Sequence, residues 1–308
     1  MPNHLSSGEP HNSQQQSQST ATIIANSTNS NIAASYLAAA TAAKADAVVT
    51  QDNSAPPLNL AAQYDLTVVV PVYNEQESLP SLFSALQQYA QKSSMRVCFL
   101  CVNDGSADRS LELIEQQVAH HEHFYYISLE RRTGLTGALK AGFHCATTPW
   151  VGYIDADLQT FPEDFELLWQ KHEEGDLICG IRAKRHDSWS KKIQSRLANK
   201  IRNAITHDGF SDNNCPLKIM RTSLAQSLPL FSGMHRFLPA LTLLQEKKVV
   251  AIAVRHQERK HGTSKFNFFN RAFAGAYDLL AFVWMRRRYI APVVTANNLG
   301  IKESRRID

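Results

Sequence analysis

From Leu66 onward the chain alternates between two hydrophobic periods, and this constrains its fold more than any other feature. "LTVVV" is a continuous β-branched run stopped by Pro71, and "QESLPSLFSALQQYAQ" then sets Leu79, Leu82, Phe83 and Leu86 at helical spacing. "RVCFLCV" predicts a second strand, and "DRSLELIEQQVAHH" a second helix through Leu111, Ile114 and Val118. "FYYISL" and "GLTGALKAGFHCA" repeat the pair, and "WVGYI" is a fourth strand. Strands without polar alternation are buried on both faces. The pattern therefore predicts an α/β fold, a mostly parallel sheet with helices on both sides. In such sheets ligands bind at the carboxyl ends of the strands. "PVYNE", "NDGSAD" and "DADLQ" each follow a strand directly, so the rule gathers all three on one rim.

The fourth strand poses the sharpest chemical question, because it runs straight into Asp155-Ala156-Asp157. Carboxylates at i and i+2 of an extended segment point to one side, where they repel unless a positive charge lies between them. A solvated acidic turn is one reading. A divalent cation bridging to a phosphate-bearing substrate is the other. The neighbouring motifs also have plain readings. In "PVYNE", Pro71 ends the strand and Asn74 caps the next helix, with Glu77 completing a capping box. In "NDGSAD", Asp104 opens a turn and Ser106 or Asp108 is an N-cap.

Composition divides the 308 residues near Tyr64. Residues 1–63 are rich in Gln, Ser, Asn, Thr and Ala, with too few large apolar groups to offset ordering entropy, and read as a disordered extension. Its Ala-rich stretch suits a transient helix, and no basic region precedes it as in a signal peptide. Residues 64–270 suit one domain, and 271–308 hold an apolar helix and a tail. The extension has one lysine against three acids; with +4 for the whole chain, the remainder carries +6. That favours phosphates or an anionic membrane and gives no footprint of nucleic acid. Cys98, Cys101, Cys145, Cys179 and Cys215 form no disulfide or zinc pattern; Cys98 and Cys101 fall on opposite faces of a strand. Reduced thiols in a cytoplasmic protein are the plain reading. Gly137 and Gly142 have Walker A spacing, but Phe143 takes the lysine position and no G-x-G-x-x-G occurs, so Gly134, Gly137 and Gly142 read as turn and packing positions.

Taken together, "VVVPVYNE", "VNDGSADRS" and "YIDADLQ" resemble the family 2 glycosyltransferases, and more narrowly the branch of dolichyl- and polyprenyl-phosphate sugar synthases. The resemblance runs from about Leu66 to Arg288. It implies a GT-A fold, an NDP-sugar donor (UDP- or GDP-sugar), Mg²⁺ or Mn²⁺, and inversion at the anomeric carbon. Pro71, Tyr73 and Glu75 match residues that line the nucleotide, and Asp104 the aspartate that reads the base. Asp155, Asp157 and Gln159 match the metal and diphosphate motif. Where relatives have Arg-Asn before the glycine, "RRTG" places Arg132.

In the second half, Ile193, Leu197, Ile201 and Ile205 form an apolar helical stripe, with Lys192, Arg196 and Lys200 on a neighbouring line. Either this is an ordinary amphipathic helix or its basic line, with Arg182, Lys184 and Arg185 upstream, walls an acceptor phosphate. The family pattern "SRxAN" matches Ser195, Arg196, Ala198 and Asn199, and a G-x-S-K loop matches Gly262, Ser264 and Lys265, among Arg255, Arg259 and His261. Asp212 occupies an acidic position that faces the acceptor in relatives. A sugar hydroxyl would need it as a base, whereas a phosphate monoester is already anionic and needs only orientation. The fourteen residues from Ala272 to Met285 are apolar apart from Asp278 and end in Arg286-Arg287-Arg288. They are too short for the ~20 residues of a span. They suit an interfacial amphipathic helix with a polybasic end or, equally, a buried core helix with an exposed basic tip.

The resemblance thus implies an enzyme of cell-envelope biogenesis, cytoplasmic or peripheral on the cytoplasmic face of the membrane. It would transfer sugar to a polyprenyl phosphate, with Asp157, Asp212, Arg196 and Lys265 catalytic and Arg182, Ser195 and Ser264 on the donor. A hydroxyl acceptor on a glycan and a catalytically silent nucleotide-sugar-binding protein are the alternatives.

Overall fold

The computed structural model describes residues 60–182, 202–206, 208–210, 212–257, 268–290, 293–294 and 305–306. The alternating first half folds as its periods dictate: β1 (Leu66–Val72), α1 (Leu79–Lys92), β2 (Val97–Asn103), α2 (Ser110–His120), β3 (Phe124–Ser128), α3 (Leu135–Cys145) and β4 (Trp150–Tyr153). There follow α4 (Phe165–Trp169), β5 (Leu177–Arg182), β6 (Lys218–Arg221), α5 (Thr222–Ser227), α6 (Leu238–Leu244), β7 (Val249–Val254) and α7 (Phe268–Arg288). A short pair, β8 (Val293–Val294) and β9 (Arg305–Arg306), runs antiparallel.

The main sheet has the order β3-β2-β1-β4-β6-β5-β7. Only β6 runs against the others, pairing antiparallel with β4 and β5. Residues along β1 alternate between two cores. Val68, Val70 and Val72 pack under α1, α2 and α4, while Val69 packs with Leu139 and Phe143 of α3, Leu224 of α5, Leu241 of α6 and Phe282 of α7. Cys101 and Cys98 likewise part to opposite faces, and burial pushes each thiol up to about 12. Gly142 lets α3 lie close on the sheet; a Cβ there would meet Val69 Cγ1 at 2.5 Å.

Two readings of the strand ends are corrected. Pro71 does not stop β1, which continues to Val72 opposite Asn103. Val69 O accepts from Ile154 N on the β4 side, and Val72 O accepts from Asp104 N on the β2 side. By alternation the nitrogen of Pro71 faces the β4 side, where β4 has already ended at Tyr153, so no ladder bond is lost. Asn74 does not cap α1 either. The helix begins at Leu79 after Ser78, with Pro80 in its first turn.

Candidate active site

Because only β6 is reversed, the carboxyl ends of β1 to β5 and β7 share one rim, joined there by the segment that enters β6. The loops after β1 and β2 are stitched together along this rim. Asn74, at φ 52°, accepts from Ala107 N at 2.8 Å and donates its own N–H to Ser106 Oγ at 3.1 Å. Glu75 N donates to Ser110 Oγ at 2.9 Å, and Gln76 N to Asp108 Oδ2 at 3.2 Å. Asp108 Oδ1 also accepts from Ser110 N. The polar side chains expected to cap helices instead hold one loop to the next.

Asp104 fastens a third loop. It is buried, and its carboxylate accepts from Thr133 N at 2.6 Å, Thr133 Oγ1 at 2.8 Å and Gly134 N at 2.8 Å. Gly105, at φ +64°, passes so near that a Cβ would meet Arg132 N at 2.7 Å. The loop is thereby drawn in until the Arg132 guanidinium lies 4.1 Å from the centroid of the half-buried Tyr73 ring. Pro71, Tyr73 and Glu75 line this end, with Glu75 Oε2 accepting from Ser78 Oγ at 2.9 Å.

The aspartate pair stands beside it. β4 ends at Tyr153, so Asp155 to Gln159 form a turn rather than extended strand, a correction to the sequence reading. Asp155, Asp157 and Gln159 are nevertheless half-buried while Ala156 and Leu158 between them are buried, so the oxygen-bearing side chains are the ones that reach solvent. Leu158 takes φ 57° to make the turn, a conformation costly for a branched residue. Gln257, just after β7, holds it there. Its Nε2 donates to Leu158 O at 2.6 Å and its N to Gln159 O at 3.0 Å.

The far end of the rim is built on buried charge. Arg182, at the end of β5, donates to Asp212 through Nε at 2.6 Å and Nη2 at 2.7 Å, with 12% and 7% of the side chains exposed. Lys218, wholly buried in β6, donates to the carbonyls of Asn213 and Cys215 and to Tyr153 Oη at 3.4 Å. One ammonium thus ties the Asp212 segment to the strand that delivers Asp155. Tyr153 is pushed up to about 12, chiefly by burial. His256, next to Gln257, has its pKa lowered by burial and by Arg182, against the pull of Asp157 and Asp212. Among the described residues its Nδ1 is buried without a hydrogen-bond partner. Arg255 pairs with Asp164, at 2.7 Å from Nε, and covers Phe161.

Ser195, Arg196, Ser264 and Lys265 lie outside the described residues, as do Lys192, Lys200, Gly262 and the rest of those two motifs. Sequence reasoning missed Lys218, His256 and Gln257. Lys218 sits in a four-residue strand with no periodic signal, whereas His256 and Gln257 follow a clear apolar run, "VVAIAV".

The model of the glycosyl transferase family 2 matches residues 67–228, more than half of the chain and all of the rim from β1 to Lys218. The chain belongs to that family. Solved structures of glucosyl-3-phosphoglycerate synthase from Mycobacterium tuberculosis share the fold of this glycosyltransferase. One, in complex with Mn²⁺, UDP and glucosyl-3-phosphoglycerate, is 14% identical with a TM-score of 0.57, covering 80% of this chain and 89% of that one. Another, with Mg²⁺ and UDP, is 14% identical with a TM-score of 0.55, over 80% and 87%. Among the described residues of the glycosyltransferase, no helix is long and apolar enough to cross a membrane, and no three His, Cys, Asp or Glu side chains cluster as a metal site.

Proposed function

We propose that this glycosyltransferase moves a sugar, with inversion, from a UDP- or GDP-sugar to a polyprenyl phosphate at the cytoplasmic face of a membrane. The observation that carries the choice of acceptor is the Arg182–Asp212 pair. A carboxylate held by both arms of a guanidinium is a weak base, and a phosphate monoester needs none.

In this reading Pro71, Tyr73 and Glu75 line the nucleotide. Asp104 fixes the loop that carries Arg132 toward it. Asp155, Asp157 and Gln159 fit Mg²⁺ or Mn²⁺, since hard cations take oxygen ligands and two carboxylates leave room for diphosphate oxygens. His256, with Nδ1 unpartnered among the described residues, lies near enough to Asp157 to feel its charge, and its nitrogen would suit Mn²⁺ better than Mg²⁺. When bound, the cation neutralises charge on the departing nucleoside diphosphate. Arg182 orients and screens the acceptor side, and Ser195, Arg196, Ser264 and Lys265 are proposed to complete the phosphate contacts.

A second reading has a structural neighbour in its favour: glucosyl-3-phosphoglycerate synthase holds UDP-glucose, Mn²⁺ and phosphoglyceric acid together in one complex. The acceptor would then be a small phosphorylated acid. Mass spectrometry separates the two. The glycosyltransferase is incubated with Mn²⁺ and a panel of UDP- and GDP-sugars, with either a short polyprenyl phosphate or 3-phosphoglycerate. A glycosylated polyprenyl phosphate is expected, and a product formed only from phosphoglycerate would replace the proposal.

A further inference from the structure

Helix α7 is apolar on two faces. Its inner line of Asp278, Phe282 and Met285 is buried. Phe282 stacks on Phe237 at 5.3 Å, and Asp278 pairs with Arg236. The opposite line of Tyr277, Leu280 and Trp284 is 76%, 69% and 66% exposed. Exposed Arg287 and Arg288 continue that line, and Ile290, just past the helix, is 80% exposed. A helix packed on a water-bathed domain normally gives this line to polar residues. A contiguous apolar line on such a helix marks an interaction surface.

We propose that this outer line of α7 docks the enzyme on an anionic bilayer, the helix lying flat in the interface. Tyr and Trp favour the headgroup level, Leu280 reaches the acyl boundary, and the arginine stems extend to lipid phosphates. Charge favours the bilayer over a second copy of the chain. Asp278, the helix's one acid, is buried, so the exposed line offers a copy's arginines no carboxylate. Arg286 is spent on Ile205 O at 2.5 Å, which leaves Arg287 and Arg288 facing outward. The inference deepens the lipid-acceptor reading by naming the surface that meets the acceptor's membrane.

The full-length chain is spun with vesicles of phosphatidylcholine containing about 30% phosphatidylglycerol, and with pure phosphatidylcholine. Binding to the anionic vesicles is expected, with quenching of Trp284 fluorescence by brominated lipid that is lost in Trp284→Phe. Arg287→Ala with Arg288→Ala lowers partition by about 25-fold, roughly fivefold per arginine. Leu280→Ser lowers it by roughly tenfold. Each variant keeps the wild-type melting temperature and turnover on a water-soluble, short-chain acceptor. Wild-type chain that stays in the supernatant overturns the proposal, as does a dimer in sedimentation equilibrium that Leu280→Ser dissociates. Vesicle binding without transfer to polyprenyl phosphate sinks only the acceptor reading. Transfer to the short-chain phosphate without vesicle binding sinks only the docking surface.

Discussion

Asp157 and Asp212 stand on the same rim but are held in opposite ways. Asp157 is half-buried in a turn, its Oδ1 accepting a local bond from Gln159 N at 3.2 Å. Asp212 is buried against a guanidinium. Removing one partner of a buried pair leaves the other charge uncompensated, at about 3–5 kcal/mol. Asp212→Asn is therefore expected to lower stability by that order in urea unfolding, with activity falling in parallel. Asp157→Asn is expected to leave the urea midpoint within about 0.5 kcal/mol of wild type and to abolish metal-stimulated turnover. Equal stability of the two variants would show that the Arg182 pair contributes little. Neither distinction was legible in the sequence. D-x-D after a strand announces a cluster of charge, but whether a carboxylate faces outward or inward depends on Arg182, 30 residues from Asp212 along the chain.

The turn from Asp155 to Gln159 gains its shape from a different element, the end of β7. Gln257 Nε2 caps the carbonyl of Leu158, whose left-handed backbone costs about 1–3 kcal/mol. Gln257→Ala removes one neutral hydrogen bond, worth about 0.5–1.5 kcal/mol. Leu158 is then free to relax and carry Asp157 off its position. The expected result is a several-fold rise in the metal and donor concentrations giving half-maximal rate, read by titration, with a melting temperature lowered by no more than about 4 °C. Unchanged titrations would mean that the turn holds itself. The elements themselves were readable up to β4, because each strand there is a long apolar run next to a helix-spaced segment. Beyond it, "LICGI" and "VVAIAV" carried the same signal, but β6 did not. Its four residues, Lys218 to Arg221, begin with a buried lysine, and only tertiary contacts make that position a strand. Pro71 misled for a related reason: whether proline ends a strand depends on how far the neighbouring strand extends.

On the scale of the molecule, acid should weaken the fold through His235. Burial, aided by Arg236 and Lys218, lowers its pKa to about 3, and Thr136 Oγ1 lies 2.6 Å from its Nδ1. Thr136 Oγ1 also accepts from Gly233 N at 3.0 Å, so its own hydrogen goes to the neutral imidazole. Between pH about 6.5 and about 3 the unfolded chain binds a proton here that the folded chain refuses. Stability is intact above that window and falls through it as pH drops, by up to about 1.4 kcal/mol per unit. His235→Asn keeps an acceptor for Thr136 without a titrating group. Urea midpoints at pH near 6.5 and near 4.5 should differ less in the variant than in wild type. The packed domain also begins earlier than the change in composition at Tyr64 suggests, since Leu60 is buried with Tyr64 and Cys98. Removing residues 1–56 is thus expected to leave the melting temperature unchanged, and a large fall would show that the extension contributes to the fold.

The lone reversed strand has a consequence for how such an enzyme diversifies. Because β6 enters the sheet from the rim, the stretch between β5 and β6 begins and ends on the side where we propose that the acceptor binds. That stretch can be lengthened, shortened or exchanged as a cassette, anchored at one end by Arg182 and at the other by Lys218. Grafting it between relatives would be a way to transplant acceptor preference while leaving the nucleotide-sugar half untouched.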